Sequence, residues 1–229
     1  MLYFSQLTLN PRSRQVQHEL RDPYQMHRSL ARAFGDDDQF TAARVLFRVE
    51  EDTKDGLPRV LVQSLRPPDW AVLEDIERYL AGLPRMKEFD PAFAVGQALS
   101  FRLRANPTVK RSRKQEGKRQ GRREGIYHEE ERLAWLARKG EQSGFRVLAV
   151  VTRGLGREVA KQHDDGTPFK IPQVQCRLDE QRLAAFSAVQ FDGTLVVSDP
   201  AALRKALESG IGSGKGFGFG LLSVARTGG

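Results

Sequence analysis

Gly210-Ile211-Gly212-Ser213-Gly214-Lys215-Gly216-Phe217-Gly218-Phe219-Gly220, followed by Leu221 to Val224, is the stretch on which the reading of the fold turns. Glycine at every second position frees the backbone to take φ > 0 and lets another main chain, or a phosphate, come very close. Composition alone would allow a flexible glycine-rich tail. Leu221, Leu222 and Val224, however, give the segment something to pair and to bury, so it reads as a loop feeding a last strand.

The known phosphate cradles do not fit this loop. A Walker A loop needs glycine where Ser209 stands and Ser or Thr where Gly216 stands, and the dinucleotide fingerprint needs glycine at Phe217 or Lys215. Nucleotide binding is therefore disfavoured. Lys215 to Phe219 matches the first five places of the RNA-recognition-motif signature. That signature lies on a strand with a helix and another strand still to come, whereas only nine residues follow Gly220.

Moving outward, Asp199-Pro200 caps a helix over Ala201 to Ser209 that delivers the chain to the glycines. Upstream, Gln173 to Leu178 and Ala185 to Phe191 are strand-like, and Asp192-Gly193 is a turn into Thr194 to Ser198. Arg157 to Pro172 reads as a hairpin turning at Asp164-Asp165-Gly166, with Arg157, Lys161 and Lys170 on its arms. Phe145 to Thr152 has the apolar character of a buried strand. A helix is predicted over Glu129 to Gln142, with Leu133, Leu136 and Ala137 inward and Gly144 as its stop. In Phe101 to Asn106, period two sends Phe101, Leu103 and Ala105 to one face and Arg102, Arg104 and Asn106 to the other, a face suited to phosphates.

The first half shows the same order of elements. Leu2 to Leu9 is a strand ended by Asn10-Pro11, and a polar stretch follows. Asp22 is an N-cap and Pro23 the first helical position of a helix to about Phe34, with Gly35 as its stop. At about 100° per residue, Met26, Leu30, Ala33 and Phe34 share the core stripe. Tyr24, His27, Arg28 and Ala31 share an adjoining face, because positions three and four apart are neighbours on a helix. Asp36-Asp37-Asp38 reads as a solvated turn rather than a metal site. Arg44 to Glu50, with Val45, Phe47 and Val49 inward, pairs through Asp55-Gly56 with Arg59 to Ser64. Pro67-Pro68-Asp69 caps a helix with a stripe of Val72, Leu73, Ile76, Tyr79 and Leu80, ended by Gly82 and Pro84. Strand, helix, strand, strand, helix is most of a ferredoxin-like unit. The expected class is α+β: two tandem ferredoxin-like (RRM-like) domains, 1–90 and 96–229, with the glycine-rich loop before the last strand.

Length agrees with two domains, since 229 residues can bury a substantial core. Charge is concentrated. The chain carries +8, and Lys110 to Arg123 alone holds eight Lys or Arg against Glu116, a local +7 that leaves +1 elsewhere. Such a block reads as a disordered basic linker seeking a polyanion, and nucleic acid is the expected partner. A membrane partner is disfavoured, because no amphipathic helix or lipidation signal accompanies the block. No secretory signal is visible and the longest wholly apolar run, Val147 to Val151, is too short for a bilayer, so a cytoplasmic location is expected. The single cysteine, Cys176, reads as plain packing. His18, His128 and His163 read as solvent-facing, and no Cys/His or Asp/His cluster has metal spacing.

Asn10-Pro11, Asp22-Pro23-Tyr24-Gln25-Met26-His27-Arg28, Phe101-Arg102-Leu103-Arg104-Ala105-Asn106-Pro107 and Gly210 to Ala225, in this order over nearly the whole chain, resemble the CasE family. Its members are the CRISPR repeat endoribonucleases of the subtype I-E Cascade complex. The resemblance implies two tandem ferredoxin-like domains, cleavage of precursor CRISPR RNA within each repeat, and retention of the product in Cascade with its other subunits. The family's catalytic His matches His27 and its catalytic Tyr matches Tyr24. No cofactor or metal is implied.

Metal-free RNA cleavage needs a group to take the proton of the attacking 2′-OH and another to protonate the departing 5′ oxygen; a histidine can serve in either role. Tyr24 either orients the 2′-OH or stabilises the attacking oxygen, while Arg28 or Arg32 offsets charge on the phosphoryl oxygens. The products are a 2′,3′-cyclic phosphate and a 5′-OH. The RNA-binding set expected for the repeat stem-loop is Arg28, Arg32, Arg102, Arg104, Lys110, Arg111, Arg113, Lys114, Arg157, Lys161 and Lys215. The alternative is a non-catalytic RNA-binding scaffold subunit of a CRISPR ribonucleoprotein.

Overall fold

Strand β1 (Leu2–Thr8) has no exposed residue, and both of its edges are paired, with β3 (Arg59–Ser64) on one side and β4 (Arg85–Phe89) on the other. The computed structural model describes residues 1–50, 53–115, 118–161 and 183–227, with backbone alone over 111–115, 118–122, 157–161 and 183–185. Between β1 and β3 come α1 (Arg14–Arg21), α2 (Pro23–Ala31), α3 (Asp37–Ala43) and β2 (Leu46–Glu50). The first sheet has the order β2-β3-β1-β4, antiparallel throughout.

The second half repeats this plan. Its elements are β5 (Ala98–Ala105), β6 (Thr108–Gln115), β7 (Lys118–Gly125), α4 (Glu129–Gln142), β8 (Phe145–Lys161), β9 (Leu183–Val197), α5 (Pro200–Ser209) and β10 (Leu222–Arg226). The sheet order is β10-β5-β9-β8. In each unit the first strand lies between the last and the third, which is the ferredoxin-like arrangement. Among the described residues, strands β6 and β7 pair only with each other, as a hairpin outside both sheets.

Each sheet has its own core. Leu7, Leu9, Val16, Met26, Leu30, Phe34, Phe47, Val60 and Val62 belong to the first, and Phe101, Leu103, Trp135, Phe145, Phe191 and Leu203 to the second. A third cluster of Tyr24, Phe186, Ala188, Phe217 and Phe219 joins them. Arg48, only 2% exposed, lies where the sheets meet. It donates to Glu50 (2.7 Å), to the Leu221 carbonyl (3.1 Å) and to Ser223 Oγ (3.0 Å).

Several expectations are corrected. The polar stretch after Pro11 contains α1, and the Asp36-Asp37-Asp38 segment is not a turn but the start of α3, whose cap is Asp36 accepting from the Gln39 amide at 2.8 Å. Asp69 does cap the next segment, but only a short 3-10 turn, Trp70–Leu73, follows. Beyond it the end of β1 captures the chain: the Asn10 amide donates to the Tyr79 carbonyl (2.9 Å) and the Ala81 amide to Thr8 (2.8 Å). Leu73 and Tyr79 are still buried there, so the stripe was correct for packing without a helix. The basic block is a β-hairpin, not a disordered linker.

Among the described residues, Phe145 to Thr152 belongs to an edge strand paired on one side only, and Val151 is 73% exposed. Asp192-Gly193 is no turn either, since β9 runs through it unbroken. A side chain at Gly193 would strike the Ala149 carbonyl at the β8 bulge, so glycine there permits close strand approach. In α4, Trp135 is buried and Ala137 exposed. The turn at Asp164-Asp165-Gly166, Lys170, His163, the strand Gln173 to Leu178 and Cys176 lie outside the described residues. Among the described residues no helix is long and apolar enough to cross a membrane.

Candidate active site

Asp22 and Pro23 start α2 as expected: the Asp22 side chain accepts from the Tyr24 amide at 3.1 Å and fixes where the first turn points. Helical spacing then brings Tyr24, His27, Arg28 and Ala31 to one wall of a cleft of about 540 Å³. Helix α3 supplies a second wall through Asp37, Phe40 and Thr41, continued by Arg44 and Val45, and the glycine loop closes the cleft with Lys215 and Gly216.

His27 is largely enclosed, at 7% exposure. Its ring meets Phe40 edge-on, with centroids 5.0 Å apart at 78°. Burial pushes its pKa down to about 4, so the imidazole is neutral at physiological pH, the form that has a free nitrogen lone pair. Tyr24, 5% exposed, packs with Phe186, Phe217 and Phe219 on one side and reaches the cleft on the other. Neither residue projects freely into solvent; both line the same cavity.

Lys215 sits in a 3-10 turn, Lys215–Phe217, held between Gly214 (φ 81°) and Gly218 (φ 80°). These left-handed positions are ones a side chain rarely adopts, which explains glycine at both. Burial, and then the neighbouring charges of Arg44 and Lys139, lower the Lys215 pKa. Among the described residues the cleft lining carries Arg28, Arg44 and Lys215 against a single acid, Asp37. Phe217 and Phe219 are core: both pack on Phe186, at 4.8 and 5.4 Å.

The other expected RNA-binding residues are spread out. Arg32 does not reach the cleft; its guanidinium lies 3.8 Å from Asp75. Arg102 is engaged by two acids, donating to Asp192 (2.5 Å) and Glu50 (3.1 Å), so it belongs to the sheet junction. Arg104 lies over the Phe219 ring at 5.4 Å. Asn106, expected on the same phosphate face, is buried and accepts from the Ser187 amide at 3.0 Å. Lys110 is exposed on β6, and the register sets Lys110 opposite Arg123, Arg111 opposite Arg122 and Lys114 opposite Arg119, with Arg113 opposite Gln120. Arg157 and Lys161 lie on the outer reach of β8, opposite Ser187 and Leu183. Arg44, Lys139 and the α3 wall escaped the sequence reading, although Asp36 and Gln39 at cap spacing were a signal for α3. Among the described residues no group of three or more His, Cys, Asp or Glu could hold a metal ion.

A family model described as CRISPR associated protein matches residues 2–226. The chain is 37% identical over 231 residues to the CRISPR-associated endoribonuclease Cse3 of Thermus thermophilus, covering 98% of this chain and all of that one. It is 32% identical over 212 residues to the Cascade subunit CasE of Escherichia coli K12, covering 90% and 92% of the two chains. The chain belongs to the CRISPR-associated CasE family. Among solved structures, Cse3 bound to a 19-nucleotide RNA superposes with a TM-score of 0.79 at 35% identity, covering 97% and 99%. Thermus thermophilus Cse3 with an RNA representing a pre-cleavage complex gives 0.75 at 35% identity, covering 98% of each chain. CasE-family membership and the two sheets agree with the tandem ferredoxin-like fold read from the sequence.

Proposed function

We infer that this chain is a CRISPR RNA endoribonuclease that binds the stem-loop of the repeat, cuts the precursor, and keeps the product as a cytoplasmic Cascade subunit. The observation that carries this reading is the convergence of Tyr24, His27 and Lys215 on one cationic cleft, in a chain whose relatives are named as endoribonuclease and Cascade subunit. We treat residues 1–90 as the unit carrying the catalytic helix and 96–229 as the unit carrying the hairpin and the glycine loop.

The chemistry follows from the groups present. Neutral His27 takes the proton of the ribose 2′-OH as that oxygen attacks the adjacent phosphorus. Tyr24 fixes the ribose beside it, and Arg28 offsets charge growing on the phosphoryl oxygens. The bond to the 5′ oxygen breaks, leaving a 2′,3′-cyclic phosphate and a 5′-OH. Side chains alone supply these steps.

A-form RNA hides its base edges in a deep, narrow major groove, so a stem is gripped through phosphates and shape. The hairpin with Lys110, Arg111, Arg113 and Lys114, joined by Arg104, Arg157 and Lys161, is the basic surface for that grip. The register sets Lys110 opposite Arg123; like charges opposed across a ladder repel, and a polyanion relieves the repulsion.

Incubating the protein with synthetic repeat RNA in excess EDTA is expected to give a single cut at the 3′ side of the stem, with a cyclic phosphate end. RNA that is bound but left whole would favour the scaffold reading.

A further inference from the structure

We propose that Lys215, carried by the glycine-rich loop of the second unit, is the general acid of this site and hands its proton to the departing 5′ oxygen. This rests on the cleavage reading above. Cleavage by 2′-OH attack needs a donor as well as an acceptor, and the cleft offers few. His27, neutral in its apolar surroundings, is suited to accept. Arg28 lines the cleft but a guanidinium does not give up its proton, and Arg32, one turn on, is drawn towards Asp75. Lys215 is the remaining cation with an exchangeable proton on the cleft wall.

Its setting is unusual for a lysine. The side chain is half-buried, its stem lies against Gly220 (a Cβ there would meet Lys215 Cγ at 3.3 Å), and its charged neighbours are Arg44 at the end of α3 and Lys139 on α4. Among the described residues Tyr24, His27, Arg28 and Asp37 complete the titratable and charged groups of the cleft. Among the described residues no acid forms an ion pair with Lys215. A buried cation placed among like charges holds its proton less tightly than an exposed lysine, which makes it a better donor near neutral pH. The loop has a structural reason to be rigid: left-handed glycines flank the residue on both sides, and the buried Phe217 and Phe219 anchor it.

The step balances. The 2′-oxygen loses its proton to His27 and forms a bond to phosphorus. The bond from phosphorus to the 5′ oxygen breaks, and that oxygen takes the proton from Lys215 Nζ. His27 is left protonated and Lys215 neutral, and exchange with water resets both.

The test compares two synthetic stem-loop RNAs of the repeat sequence, one natural and one with sulfur replacing the leaving 5′ oxygen. A thiolate departs without being protonated, so loss of the acid should not matter on the sulfur RNA. With the full-length protein saturating the RNA, Lys215→Met and Lys215→Arg are each expected to slow cleavage of the oxygen RNA by about 10²–10⁴-fold. On the sulfur RNA both are expected to come within about tenfold of the wild type, whereas His27→Ala stays slow on both. Four results overturn the proposal: full rate in Lys215→Met at saturation, weakened binding alone, recovery by Lys215→Arg on the oxygen RNA, or no recovery on sulfur. Normal cleavage by His27→Ala would instead place the fault in the base assignment and the site reading. A wild-type protein that leaves the RNA whole overturns that reading and the proposal together.

Discussion

Two groups of cations lie near the meeting of the sheets, and their surroundings differ. At the junction, Arg48 and Arg102 share Glu50, Arg102 also holds Asp192, and every charge has an opposite beside it. In the cleft, Arg28, Arg44 and Lys215 face Asp37, and Lys139 adds to the positive side. The first arrangement is complete within the chain, so it serves architecture. Among the described residues of the cleft wall cations outnumber acids, so the second arrangement suits an anionic ligand. Basic residues are therefore poor guides to function until their partners are known. Arg102 and Lys215 were equivalent candidates in the sequence, and the acids around one of them separate the two.

The contrast can be broken most severely at Arg48. Arg48→Ala takes from Glu50 one of its two cations and removes the donor to the Arg102 and Leu221 carbonyls and to Ser223 Oγ, and it is expected to cost about 3–5 kcal/mol in urea unfolding. A variant as stable as the wild type would mean that the junction is solvated.

A smaller effect comes from His27. Its folded pKa of about 4 lies below the unfolded value of 6.5, so the unfolded chain binds the proton more readily. Its contribution to stability is therefore complete above pH 6.5 and is lost as the pH falls through 4, on the order of 3 kcal/mol. Unfolding free energies at pH 7 and pH 4 should show this loss, and His27→Asn should lack that component. An identical pH dependence in the two proteins would place the imidazole in water.

The mildest pair is the most direct comparison. Arg102, 43% exposed, is expected to cost about 1 kcal/mol on mutation to Ala and to leave the salt dependence of RNA affinity unchanged. Arg44→Ala should leave stability within about 0.5 kcal/mol and lower the salt slope by about 1. A reversal of these outcomes would exchange the roles assigned to the two regions.

The parts legible in the sequence were those fixed by local chemistry. Asp22-Pro23 and Asp199-Pro200 are complete start signals, and both helices begin there. β1 was read as a strand ended by Asn10-Pro11, alternation identified β3 and β5, and helical spacing placed Tyr24, His27, Arg28 and Ala31 on one face. Strand β4 was missed because Arg85 to Phe89 is mostly exposed and charged, and pairing with β1 makes it a strand. The β6–β7 hairpin likewise lacks apolar alternation and owes its form to its ladder. Arg48 occupies the outward side of a correctly read strand, and only the second sheet turns that side into an interior. For the cleft, spacing could supply the α2 wall, but it could not bring Lys215 across from a loop about 190 residues later in the chain.

The central claim is that the α2 face cuts RNA and does not merely hold it. Single-turnover cleavage by His27→Ala, at protein concentrations that saturate the repeat RNA, measures this alongside the dissociation constant of the uncut complex. The expected result is a rate lower by about 10²–10⁴-fold with affinity nearly unchanged. Undiminished cleavage, or a loss of rate no larger than the loss of binding, would contradict it.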